Sequence, residues 1–139
     1  MRVLTTGTFD IPHAGHLSFL RRARRLGDNL TVGVLSDKFV ALYKGRQPWY
    51  DEESRAMLIQ EATDADVLVV GDQRAFFIAQ SQGEAVIAVG SDWARKDYYH
   101  QIGMTQDDLD ALGATLAYVP YAQGMSTSDI ERRLLGWTS

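Results

Sequence analysis

The sequence contains no cysteine, only three prolines and only three histidines in 139 residues. Without cysteine there is no disulfide framework and no thiolate nucleophile, which fits a reducing compartment and leads us to expect a cytoplasmic protein. Long hydrophobic runs are missing too, since no stretch approaches the ~20 apolar residues that cross a bilayer. Met1-Arg2-Val3-Leu4-Thr5 turns polar too early to read as a secretory leader. Basic residues are in the minority, 14 Lys and Arg against 18 Asp and Glu, giving a net charge of −4. The chain therefore lacks the basic footprint of a general nucleic-acid binder. Linkers, repeats and low-complexity tracts are not seen either. What remains is an ordinary globular composition, 45% hydrophobic and 23% charged, at a length that fits one domain.

Short apolar runs alternate with helical stretches. Residues 2–6 read as a first strand, and 30–35, 67–70, 85–89 and 116–119 as four more, several nearly continuous in hydrophobic character. Helices are expected over 16–26, from the Ser36-Asp37 caps to Leu42, and over 51–61, 74–82, 105–112 and 128–135. In the 51–61 helix Ala56, Leu58 and Ile59 are the apolar members. Residues 90–104 show no clear period. Arg21, Arg22, Arg24 and Arg25 could serve an anion, but a solvated helix face accounts for them better. Alternating strands and helices predict parallel pairing through right-handed crossovers. The expected fold is a single α/β domain, a Rossmann-like open five-stranded parallel sheet with helices on both faces. Ligands of such sheets gather beyond the carboxyl ends of the strands.

The stretch Gly7-Thr8-Phe9-Asp10-Ile11-Pro12-His13-Ala14-Gly15-His16 joins the first strand to the first helix. Gly7 is expected to permit a sharp exit, and Gly15 a close backbone approach. His13 and His16 lie three apart, on one face of a helix start, where unpaired N–H groups and the helix dipole favour an anion. This is a candidate phosphate site. Half of a metal site, or plain capping and packing, are the competing explanations for the two imidazoles. Phe9 serves equally well as core, and Asp10 as a turn cap. Lys44-Gly45-Arg46 puts a point charge and a forked guanidinium on one loop. Gly124-Met125-Ser126-Thr127-Ser128 offers hydroxyls ahead of a last helix, a second phosphate cradle.

His13-Ala14-Gly15-His16 matches the HxGH signature of the HIGH-type nucleotidyltransferases, and Gly7-Thr8-Phe9-Asp10 the GTFD that precedes it. Lys44-Gly45-Arg46, Arg55, Gly90-Ser91-Asp92-Trp93 and residues 124–128 follow in family order. Over nearly its whole length the chain resembles the cytidylyltransferase branch, above all the glycerol-3-phosphate cytidylyltransferases. The resemblance implies transfer of CMP from CTP to a phosphorylated alcohol, with Mg²⁺ carried by the triphosphate, no protein-ligated metal, and a homodimer. It implies catalytic roles for His13, His16, Lys44, Ser126 and Thr127. It implies nucleotide contacts for Gly7, Thr8, Phe9, Asp10, Gly15, Arg46, Asp92, Trp93, Gly124, Met125 and Ser128. Asp37 and Arg55 are implied at the acceptor. Plainer roles are capping for Asp37, an ion pair with Asp51 or Glu52 for Arg55, and lid or core for Trp93.

Two positions depart from the family pattern. Arg46 stands where lysine is commoner, and Tyr121 where an arginine usually precedes Gly124 by three residues. Arg95 or Lys96 could supply the missing charge. Segment 95–101 has no counterpart that we can place, and reads as an acceptor pocket, an interface or an ordinary loop. Two further functions compete with the first: an adenylyltransferase using ATP and a sugar phosphate, and a module that binds CTP without turnover.

Overall fold

Five parallel strands position everything else. In the computed structural model, which describes residues 1–11 and 13–120 (of Ala94 and Arg95 the backbone only), they are β1 (Arg2–Gly7), β2 (Asn29–Leu35), β3 (Asp66–Val70), β4 (Ala85–Gly90) and β5 (Ala114–Val119). The order is β3-β2-β1-β4-β5, and every neighbouring pair is parallel. This is the expected open sheet. Strand order reverses at β1, which sits between β2 and β4, so a crevice opens at the carboxyl ends there.

Alternation along β1 divides the core in two. Val3 points to a cluster with Phe19, Leu20, Val32, Val34 and Ile59, beneath α1 (Ala14–Arg24) and α3 (Glu52–Ala62). Leu4 points the other way, to Phe76, Phe77, Ile87, Val89, Tyr98 and Leu109, beneath α4 (Gln73–Gln80), α5 (Tyr98–Ile102) and α6 (Gln106–Leu112). The remaining helix, α2 (Asp37–Lys44), leaves the end of β2. Side-chain caps start these helices: Ser36 on α2, Asp51 on α3, Asp72 on α4 and Thr105 on α6. No described helix is long and apolar enough to cross a membrane.

Four expectations need correction. α1 begins at Ala14 rather than His16, because the His13 side chain caps it, and histidine is not a customary cap. Gly7 does not make the exit turn. The left-handed residues are Phe9 (φ 51°) and Ile11 (φ 47°), conformations that cost a bulky or β-branched side chain on the order of 1–3 kcal/mol each. Gly7 is needed for space instead, since a Cβ there would stand 2.9 Å from the Phe9 ring. In α3, Leu58 faces solvent at 44% exposure, while Arg55 joins Ile59 on the buried side. Residues 90–104 hide a 3₁₀ turn (Ser91–Arg95) and the five-residue α5, both too short to show a period. The signature at 124–128, Tyr121 and the helix expected over 128–135 lie outside the described residues.

Candidate active site

A cleft of about 220 Å³ occupies the reversal point. The end of β1 and its exit turn supply Thr6, Gly7, Thr8, Phe9 and Asp10; α1 supplies His16, and α2 supplies Tyr43 and Lys44. The far wall is Gly90, Asp92 and Trp93, continued by Lys96, Tyr98 and Gln101.

Backbone amides fix both imidazoles. Gly15 N–H donates to His13 Nδ1 at 3.0 Å, and His13 N–H donates to His16 Nδ1 at 3.3 Å. The rings stack with centroids 4.0 Å apart, and the Phe9 ring stands edge-on to His16 at 5.5 Å. An accepting Nδ1 obliges each neutral ring to carry its proton on Nε2, the donor left for a ligand. Burial lowers the pKa of His13. His16 falls to about 4, through burial first and then the charges of His13 and Lys44, with Asp10 opposing. Both rings are neutral at pH 7. An anion bound beside them would pull both values up again.

The shift on His16 gives the protein an acid sensitivity. Its folded value lies below its ordinary 6.5, so as pH falls the unfolded chain is protonated first. The stability it secures is complete above pH 6.5 and drains away towards pH 4, by at most about 3 kcal/mol. Urea unfolding at pH 7 and pH 4.5 checks this. His16→Gln should lose less between those two points than the wild type, and equal losses would discard the assignment.

Two buried charges fasten the turn to the rest of the site. Asp10, 3% exposed, accepts from the Trp49 and Tyr50 amides at 2.9 and 3.0 Å. Arg55 is fully buried. It donates to the carbonyls of Thr8 (2.7 Å), Leu35 (2.8 Å) and Tyr50 (2.9 Å) and to Asp37 Oδ1 (2.7 Å). The acceptor contact expected of Arg55 is therefore replaced by a bolt across the ends of β1 and β2. Its ion-pair partner is Asp37, not Asp51, which caps α3, nor Glu52, which accepts from the Asp37 amide. Neither Asp37 nor Arg55 lines the cleft. Arg46 also lies outside the lining, with its guanidinium 3.4 Å from the Gln47 carbonyl, and Gly15 is enclosed in the first turn of α1.

The far wall resolves the segment that had no family counterpart. Trp93 meets the Tyr98 ring edge-on at 5.3 Å, and Lys96 Nζ lies 5.2 Å from the Trp93 ring centroid, within cation–π range. Tyr43 faces this wall from α2; burial, then Asp92, raises its pKa. Segment 95–101 is thus pocket wall at Lys96, Tyr98 and Gln101. Thr6 and Tyr43 went unread in the sequence, although the one ends a strand and the other precedes Lys44.

Residues 4–133 match the family described as Cytidylyltransferase-like. The chain belongs to it. Among relatives, glycerol-3-phosphate cytidylyltransferase from Staphylococcus aureus is 29% identical over 139 residues, covering 97% of this chain and 96% of that protein. The bifunctional protein HldE from Trichlorobacter lovleyi is 32% identical over 136 residues, and FAD synthase from Thermococcus sibiricus 39% over 94. The chain spans 26% of that HldE and 64% of that FAD synthase. A solved lipopolysaccharide core biosynthesis protein from Thermoplasma volcanium superposes with a TM-score of 0.67 at 33% identity, over 90% of this chain and 98% of the other.

In this cytidylyltransferase-like chain, the cleft sets His16 and Lys44 against a wall of aromatic and polar side chains, while His13, stacked on His16, stands outside the lining. Among the described residues no three His, Cys, Asp or Glu converge as a metal cage. Two carboxylates, Asp10 and Asp92, do line the cleft. Oxygen donors in that small number suit Mg²⁺ that keeps water and phosphate oxygens as its other ligands.

Proposed function

We propose that the chain is a nucleotidyltransferase that moves CMP from CTP to a phosphorylated alcohol such as glycerol 3-phosphate, giving a CDP-alcohol and pyrophosphate. The observation that carries this reading is His16, which lines the cleft with Lys44 and has the His13 ring stacked on it at the start of α1. An oxygen of the acceptor phosphate attacks the α-phosphorus, and the bond to the α–β bridging oxygen breaks, with pyrophosphate taking the electron pair. The attacker is already an anion, so no strong base is needed. What the chain must do is align the two reactants and stabilise charge growing on phosphate oxygens. The Nε2–H groups of His13 and His16 donate to those oxygens, and Lys44 adds a compact positive charge. Mg²⁺, held by the triphosphate near Asp10 and Asp92, supplies further charge neutralisation when bound. Asp92 and Trp93 face the nucleoside, and residues 124–128 are proposed as the second phosphate cradle. Family resemblance supports a homodimer in the cytoplasm.

CTP is favoured because Gly7-Thr8-Phe9-Asp10 resembles the cytidylyltransferase form and the Staphylococcus aureus relative matches almost end to end. The more identical FAD synthase keeps ATP as the second donor. Purified protein should be given each labelled nucleoside triphosphate with Mg²⁺ and a panel of phosphate esters. Pyrophosphate release is expected with CTP and a polyol phosphate. ATP-only turnover would establish the adenylyl reading, and a melting shift with CTP but no pyrophosphate from any acceptor would make the chain a binding module. In the same assay Lys44→Ala should lower kcat/KM for CTP by roughly 10- to 100-fold. Unchanged rates at subsaturating CTP would remove Lys44 from the site.

A further inference from the structure

On the opposite side of β1 from the imidazoles, three polar side chains from separate elements are joined end to end. Gln73, at the start of α4 and 6% exposed, donates through Nε2 to Thr6 Oγ1 at 2.8 Å. Its Oε1 accepts from Gln101 Nε2, on α5, at 3.3 Å. A buried amide needs hydrogen-bond partners, and this one has both of its own in residues that line the cleft. The chain of bonds ends in unspent capacity: Thr6 keeps its hydroxyl hydrogen and Gln101 its carbonyl oxygen. Among the described residues no other hydrogen bond engages the Gln101 side chain, whose backbone amide donates to the Asp97 carbonyl, and none takes the Thr6 hydroxyl hydrogen.

This ledge carries no charge, so it is not built for phosphate. It offers one donor and one acceptor, the complement of an alcohol, which can itself accept and donate. Its position follows from strand alternation: Thr6 shares the face of β1 with Leu4, whereas α1 and its imidazoles cover the face of Val3. In phosphoryl transfer the attacking and leaving groups stand roughly in line on opposite sides of the phosphorus. With the triphosphate tail held at the α1 side, the acceptor enters from the ledge side.

We propose that Thr6 and Gln101, oriented by Gln73, form an acceptor subsite that recognises the free hydroxyl groups of a phosphorylated polyol. This rests on the transferase reading above and names what the acceptor must carry besides its phosphate. Thr6 and Gln101 touch substrate; Gln73 is a positioning residue. A site built to hydrogen-bond an alcohol rejects the analogue without one, because its own polar groups are left unpaired.

The test compares glycerol 3-phosphate with 1-propyl phosphate, the same carbon chain without hydroxyls, as acceptors with CTP. The wild type should prefer glycerol 3-phosphate. Gln101→Leu and Thr6→Val should each lower the ratio of the two kcat/KM values about tenfold. Gln73→Leu, which removes no substrate contact, should lower the same ratio by raising the KM for glycerol 3-phosphate while the KM for CTP stays near wild type. A purely structural glutamine would depress both acceptors together. An active wild type whose ratio survives in Gln101→Leu and Thr6→Val would overturn the subsite alone. A wild type that transfers to no phosphate ester would overturn the transferase reading and the subsite with it.

Discussion

His16→Ala should lower kcat by about a thousandfold and leave a folded protein, since one donor aimed at developing charge is worth roughly 10²–10³ and the His13 cap is disturbed as well. The structure gives this expectation a sharper form. His16 Nδ1 is occupied by the His13 amide, and the ring is neutral, with its pKa near 4. Its work is then hydrogen-bond donation from Nε2, not delivery of a full charge. Glutamine places an amide nitrogen close to where Nε2 stood, whereas asparagine reaches only to the Nδ1 position. His16→Gln should therefore recover a measurable part of the rate, and His16→Asn should not. Steady-state kinetics with CTP, beside a far-ultraviolet spectrum to confirm folding, would decide it; a near-normal kcat in His16→Ala would refute the role outright.

Arg55→Leu should cost roughly 3–5 kcal/mol, because removing the guanidinium strands a buried carboxylate and several carbonyls together. For a domain of this size that is a fall in Tm on the order of 10 °C or more. Arg55→Lys should lie between, since an ammonium restores the charge facing Asp37 but cannot reach Thr8, Leu35 and Tyr50 at once. Adding Asp37→Leu to Arg55→Leu should recover part of the loss by removing the stranded carboxylate. Melting without nucleotide is the measurement. A penalty under about 1 kcal/mol would mean that the side chain is not bolted in place, and would return it to the acceptor role suggested by family resemblance.

The sheet could be read from the sequence because each strand carries a short apolar or β-branched run between turn residues, a signal that survives even in β3, where Leu68 and Val69 are exposed. Helix ends were less visible where the cap was unusual, as with His13. Arg55 was misread for a physical reason. A charged side chain on a helix is normally solvated, and the buried face of α3 has too few apolar members to betray itself. The spacing Arg55–Ile59 held the clue, since residues four apart share a face. The turn between β1 and α1 was legible as a motif, but its left-handed residues were not, because nothing local marks Phe9 or Ile11 for such a conformation. The Thr6, Gln73 and Gln101 alignment was invisible for another reason: it joins residues far apart in the chain, and only the crossover of α4 brings them together.

Residues 91–102 form their own unit between β4 and α6, and they furnish the far side of the cleft without contributing to the imidazole turn. The imidazole turn and the aromatic wall that faces it are thereby carried by separate cassettes of the polypeptide. On the proposed reading, grafting this dozen residues between relatives exchanges the nucleoside-facing and acceptor-facing wall together while the imidazole turn stays unchanged.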